Sequence, residues 1–147
     1  MNAPGKQGVF MGLFGSKRPK TAGGKSLVES WMGVFFGYAH VTPVASEAQL
    51  RDAIAGGAYS CLGQRHSYNG IQVIPGITAL DMGNSALKAC TYDPVSETAT
   101  CGPSLKIVEL KQELLKHRRK MLNSGNYIEQ TVIGALTSGT HGYGAQG

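Results

Sequence analysis

Residues 122–147 constrain this chain more than any other stretch. Asn123-Ser124-Gly125-Asn126, Gln130-Thr131-Val132-Ile133-Gly134-Ala135 and Leu136-Thr137-Ser138-Gly139-Thr140-His141-Gly142-Tyr143-Gly144 crowd small residues and hydroxyls together with very few charges. Such a segment has too little side chain to make a hydrophobic core by itself. It makes sense as backbone laid against something flat and polar. The 21 glycines of the chain follow no collagen-like period, so they mark turns and close backbone approaches.

A second segment of this kind is Gly63-Gln64-Arg65-His66-Ser67-Tyr68-Asn69-Gly70, which follows a short apolar run at 58–62. It opens on glycine and presents successive backbone N–H groups, a hydroxyl at Ser67 and an amide at Asn69. That is the composition of an anion-cradling nest, in which oriented donors stabilise a diphosphate without many full charges. The loop 137–142 offers the same chemistry, with Ser138 and Thr140 as hydroxyl donors. Two such loops could hold both ends of a dinucleotide, and Arg65 could add direct charge to its diphosphate. On residue type alone, His66 and His141 read equally well as histidines held by structural hydrogen bonds. His40 lies in an undistinguished segment.

The net charge of +5 would suggest nucleic acid if it lay on a folded face. It does not. Lys6, Lys17, Arg18, Lys20 and Lys25 all precede the first acid, Glu29; removing these five from the 14 Lys and Arg leaves nine, equal to the nine Asp and Glu. Residues 1–28 read as a disordered basic arm, and 29–147 as the folded domain. Gly23-Gly24-Lys25-Ser26 resembles the end of a phosphate-binding P-loop, but Lys17-Arg18-Pro19-Lys20 cannot be the strand that loop requires. No nucleic-acid or membrane partner is expected, and no apolar run is long enough to cross a bilayer. Cys61, Cys90 and Cys101 lack zinc-type spacing, so no metal site is expected. Cys90 and Cys101 could face each other across a hairpin, but reduced thiols of a cytoplasmic protein are the blander reading.

Periodicity predicts an α+β fold. Ser46 caps a helix over 46–55, with Gln49 completing a capping box and Leu50, Ala53 and Ile54 on one face. Gly56-Gly57 ends it. Strands are predicted at 58–62, 71–74 and 78–82, and a hairpin pairs 87–92 with 98–101 around Asp93-Pro94. Ser104 caps a second helix with the stripe Ile107, Val108, Leu110, Leu114 and Leu115. The run Lys116-His117-Arg118-Arg119-Lys120 at its end reads as a solvated helix terminus complementing the dipole. This gives a small strand–helix subdomain near 40–82 beside the start of an antiparallel one.

At these loops the sequence resembles the vanillyl-alcohol oxidase and p-cresol methylhydroxylase superfamily of flavoproteins, and within it the aldonolactone and alditol (xylitol, sorbitol) oxidases. The resemblance covers about residues 31–144. It rests on Trp31, on Thr42-Pro43 with the Ser46 helix, on Leu62 to Asn69, and on Glu129 to Ala135 followed by Ser138-Gly139-Thr140-His141-Gly142. It implies FAD as cofactor, with His66 bonded covalently to the flavin C8α methyl. Gly63, Gln64, Arg65 and Ser67 would wrap the diphosphate through main-chain donors, with Asn69 a polar loop position. Ser124, Gly125 and Asn126 would approach the isoalloxazine. Thr131, Gly134, Ser138, Gly139, Thr140, His141 and Gly142 would line the rest of the cleft.

The implied reaction is hydride transfer from a hydroxyl-bearing C–H of a sugar lactone or polyol to flavin N5, with reoxidation by O₂ or another acceptor. Thr137-Ser138 stands where Thr-Gly is usual, and Asn126-Tyr127-Ile128-Glu129 replaces an Asp-containing turn. The resemblance further implies that the rest of the FAD domain and the substrate domain lie outside this chain. No catalytic residue is therefore assigned within it, and the chain alone is not expected to turn over substrate. A truncated or repurposed binding module without activity is the alternative expectation.

Overall fold

The computed structural model describes residues 10–11, 20–57, 59–83 and 85–142. The parallel unit of the α+β fold begins with strand β5 (Val41–Pro43), continues through helix α1 (Glu47–Ala55), and returns as β6 (Tyr59–Leu62) and β7 (Thr78–Asp81). The three strands lie in the order β5-β7-β6, both pairings parallel. Parallel neighbours need long connections, and α1 and the loop 63–77 supply them.

Ser46 caps α1 as expected: its side chain accepts from Gln49 N–H at 3.2 Å, and Gln49 Oε1 accepts from Ala45 N–H at 2.8 Å. Leu50 and Ala53 pack onto Val44, Leu80 and Met82, whereas Ile54 stays exposed.

The arm expected over 1–28 is corrected over its last third. Strands β2 (Thr21–Ala22), β3 (Lys25–Glu29) and β4 (Phe35–Ala39) form an antiparallel sheet, with β1 (Phe10–Met11) on the far side of β4. Gly23 and Gly24, both at positive φ, make the turn between β2 and β3. The P-loop-like string is therefore a hairpin turn of the two-glycine kind. Val28 is fully buried with Ala39, Leu62, Val73 and Ala79, so this sheet shares a core with the parallel one. The rest of the arm lies outside the described residues.

The antiparallel unit is the hairpin β8 (Cys90–Asp93) and β9 (Thr98–Cys101), covered by α2 (Ile107–Lys116). Its core is Leu105, Leu110 and Leu114, while Leu115 is exposed. Ser104 is not the cap. Lys106 is, with its N–H bonded to Glu109 Oε2 at 2.7 Å, and Ser104 is instead wholly buried. The strand expected at 71–74 is also absent from the structure. Asn69 Oδ1 accepts from Ile71 N–H and Gly70 O from Val73 N–H, which folds the segment into turns. A third helix, α3 (Val132–Thr137), capped by Thr131, precedes the 137–142 loop and is not among the expected elements.

Leu62 joins β6 to the shared core and is 1% exposed. Leu62→Ala should lower unfolding stability by about 2–5 kcal/mol. Urea denaturation checks this, and a loss below about 1 kcal/mol would contradict the packing described.

Candidate functional site

The turn after β6 is held in an unusual backbone state. Arg65 has φ 60°, a left-handed conformation that costs a non-glycine residue on the order of 1 kcal/mol. Two interactions offset that cost: Trp31 N–H donates to Arg65 O at 2.9 Å, and the Arg65 guanidinium pairs with Asp81 at 3.1 Å. Asp81 also accepts from Gly83 N–H at 3.0 Å, and Gln64 Nε2 donates to Gly83 O at 2.8 Å. The Arg65 side chain thus shapes the loop, and it also lines the cleft that this loop forms with the start of α3.

Loop 63–67 and the start of α3 converge. An added Cβ at Gly63 would overlap Thr131 Oγ1 and lie 3.0 Å from Gly134 Cα. Thr131 is itself fully buried, and its hydroxyl accepts from Gly134 N–H at 3.2 Å. The two segments therefore meet with only the Thr131 hydroxyl between them. Gly63, Gln64, Arg65, His66, Ser67, Thr131, Gly134 and Ser138 all line one cleft of about 380 Å³, together with Gln72, Gln130 and Thr137. Gln72 was not singled out from the sequence, where nothing distinguishes it. Its Nε2 is buried with no hydrogen-bond partner, an unmet donor in the wall of the cleft.

Ser124, Gly125, Gly139 and Thr140 line a second cleft of about 440 Å³, floored by Ile107, Leu110 and Val132. Gln130 belongs to both clefts. Asn69, Asn126, His141 and Gly142 line neither. Asn69 is a turn-former, accepting from Ser67 Oγ at 3.2 Å and from Ile71 N–H at 3.1 Å. Gly142 is a point of close approach, since a Cβ there would overlap the Ser124 carbonyl. The hydroxyls of the second loop bond back onto the helix: Ser138 to Gly134 O at 2.7 Å, and Thr137 to Ile133 O at 2.8 Å.

His66 stands at the junction of the two clefts. Its ring centroid is 4.1 Å from that of Tyr127 and 5.6 Å from that of Trp31, and Trp31 also contacts Tyr68. Tyr127 lines the second cleft, so this aromatic group bridges the two. Sequence reasoning missed Tyr127, although it lies inside the segment that departs from the family pattern. Burial holds the His66 imidazole below its ordinary value; Glu129 opposes this and Lys106, paired with Glu129 at 2.8 Å, reinforces it.

The depressed value fixes a sign. The unfolded chain takes up this proton before the folded one, so the His66 contribution to stability falls as pH drops through 6.5 towards the folded value. A ring-proton NMR titration should place the His66 midpoint below 6.5; a midpoint above it would reverse the assignment of burial as the dominant cause.

These features define a class: an α+β domain in which a glycine-led loop and the entry to a short helix line one cleft. Residues 39–147 match the FAD binding domain family, and the chain belongs to that family. No protein of curated function matches the sequence. Solved structures share the fold, among them two of cholesterol oxidase. Cholesterol oxidase from B. sterolicum aligns with a TM-score of 0.60 and 17% identity, over 86% of this chain and 27% of that one. A histidine-to-alanine mutant of cholesterol oxidase from Brevibacterium sterolicum aligns with a TM-score of 0.64 and 18% identity, over 96% and 26%. The chain therefore spans about a quarter of those structures. Among the described residues no helix is long and apolar enough to cross a membrane.

Proposed function

We propose that this chain is the FAD-gripping portion of an oxidoreductase acting on a hydroxyl-bearing carbon of a sugar lactone or polyol, with the flavin bonded covalently to His66. One observation carries the reading: loop 63–67 and the entry to α3 line a single cleft, with Gly63 against Thr131 and Gly134, and with His66 among the lining residues.

The residues present fit FAD. Gly63 lets loop 63–67 seat directly against Thr131 and Gly134 in the cleft wall, and the unmet Gln72 donor offers a hydrogen bond to a bound phosphate oxygen. A neutral imidazole keeps the lone pair that bond formation to carbon requires, and burial favours that neutral form at His66. Tyr127 and Trp31 pack on that ring and restrict its orientation. When bound, the flavin supplies a two-electron acceptor at N5, reoxidised by O₂ or another acceptor. The substrate class rests on the motif resemblance of Leu62 to Asn69 and Gln130 to Gly142.

A second reading is a binding module that holds FAD and catalyses nothing by itself. It draws on the quarter share of the solved relatives that this chain spans. Mass spectrometry of the purified full chain tests the covalent assignment. The tryptic peptide that begins at His66 should carry one added flavin. A yellow protein whose colour is wholly released by acid would leave FAD binding standing and remove the covalent bond.

A further inference from the structure

The hairpin β8–β9 holds two of the three free cysteines directly opposite each other, Cys90 facing Cys101 in the register. The position of that pair in the ladder matters. Gly102 N–H donates to Ala89 O at 2.7 Å, one step further along the same register. Closely and widely spaced bonds alternate in an antiparallel ladder, so Ala89–Gly102 is a hydrogen-bonded pair and Cys90–Cys101 is a non-hydrogen-bonded one. Non-hydrogen-bonded partners sit about 4.5 Å apart at Cα, inside the roughly 4.4–6.8 Å window that a disulfide spans. Both side chains lie on the face packed against Leu105, Leu110 and Leu114, as do Tyr92 and Ala99. They therefore project to the same side of the hairpin.

We infer that Cys90 and Cys101 form a reversible redox site, closing to a cross-strand disulfide by exchange with a low-molecular-weight disulfide. One thiol, as its thiolate, attacks a sulfur of the small disulfide and releases one small thiol. The second then attacks the mixed disulfide and releases the other. Each cysteine loses one proton, and two electrons pass to the small disulfide. Burial pushes both thiols up, which slows the first attack, while their facing positions in the ladder favour closure once a mixed disulfide has formed. Cys61 lies on a different sheet, beside the cofactor cleft, and takes no part. The inference does not depend on the flavin reading.

The test uses the full chain equilibrated in glutathione buffers of graded ratio, then alkylated and digested. Trypsin releases one peptide, Ala89 to Lys106, that contains both cysteines. In the oxidised form it should lack both alkyl groups and weigh about 2 Da less, for the two hydrogens lost, with reversal by dithiothreitol. The same measurement in urea sets the reference for two thiols that are merely close in sequence. The folded chain should close the bond with an equilibrium constant at least about tenfold larger than the unfolded one. Equal or weaker closure when folded would overturn the site, as would linkage of either residue to Cys61. Cys101→Ser should leave Cys90 as a glutathione adduct with no closed peptide.

Discussion

Gly63→Ala should cost the protein its flavin. The new methyl would overlap Thr131 Oγ1 and sit 3.0 Å from Gly134 Cα and 3.4 Å from Gly134 N. Backbone cannot yield as the tip of a long side chain can, and Thr131 is fully buried and engaged with Gly134 N–H. Relief therefore needs either rotation of Thr131, which removes the α3 cap at about 1 kcal/mol, or separation of the two loops. Overpacking of this kind costs about 1–3 kcal/mol, and separation also spoils the cleft. The expected result is a loss of FAD affinity of at least about tenfold, equivalent to about 1.4 kcal/mol, with a smaller fall in Tm. Ser138→Ala is the comparison: it trims the same cleft without a clash and should bind FAD far better than Gly63→Ala. Wild-type affinity and Tm in Gly63→Ala would show that the contact between the loops is not what forms the site.

His66→Ala should abolish acid-stable colour altogether. No other histidine lines the first cleft, and His141 lies outside both described clefts, so no neighbour can take over the bond. The ring is only half-buried, and its aromatic contacts with Trp31 and Tyr127 lie near the surface. Folding should consequently survive, with circular dichroism unchanged. FAD bound without a covalent link should remain measurable by fluorescence. Tyr127→Phe keeps the ring and should keep the adduct. Retention of flavin through denaturation in His66→Ala would place the covalent link on another residue.

The parts of the fold legible in the sequence are those that carry a local signal. Ser46 and Gln49 announce α1 because a cap and its box are local chemistry, and Leu110 and Leu114 announce α2 by their spacing. Strand β3 was hidden in a Lys- and Gly-rich run because it commits only Val28 fully to the core, and Gly23-Gly24 resembled the end of a P-loop and not a hairpin turn. The short α3 was masked by Gly134 and by the β-branched Val132 and Ile133, which argue against helix until Thr131 is seen capping it.

For the site, loop composition suggested an anion cradle and the motif resemblance supplied the flavin. What neither could show was distance. The pairing of Arg65 with Asp81 spans 16 positions, and that of Lys106 with Glu129 spans 23. Gln72 gained its role only from where the turns at 69–73 carry it.

The bond from Trp31 N–H to Arg65 O, with Val28 sealed in the core behind it, bears on how this protein can be handled. A shortened gene starting at residue 29 looks harmless on charge and composition, since it discards only a lysine-rich leader. It would in fact strip one wall from the interior and leave loop 63–67 anchored on a frayed edge.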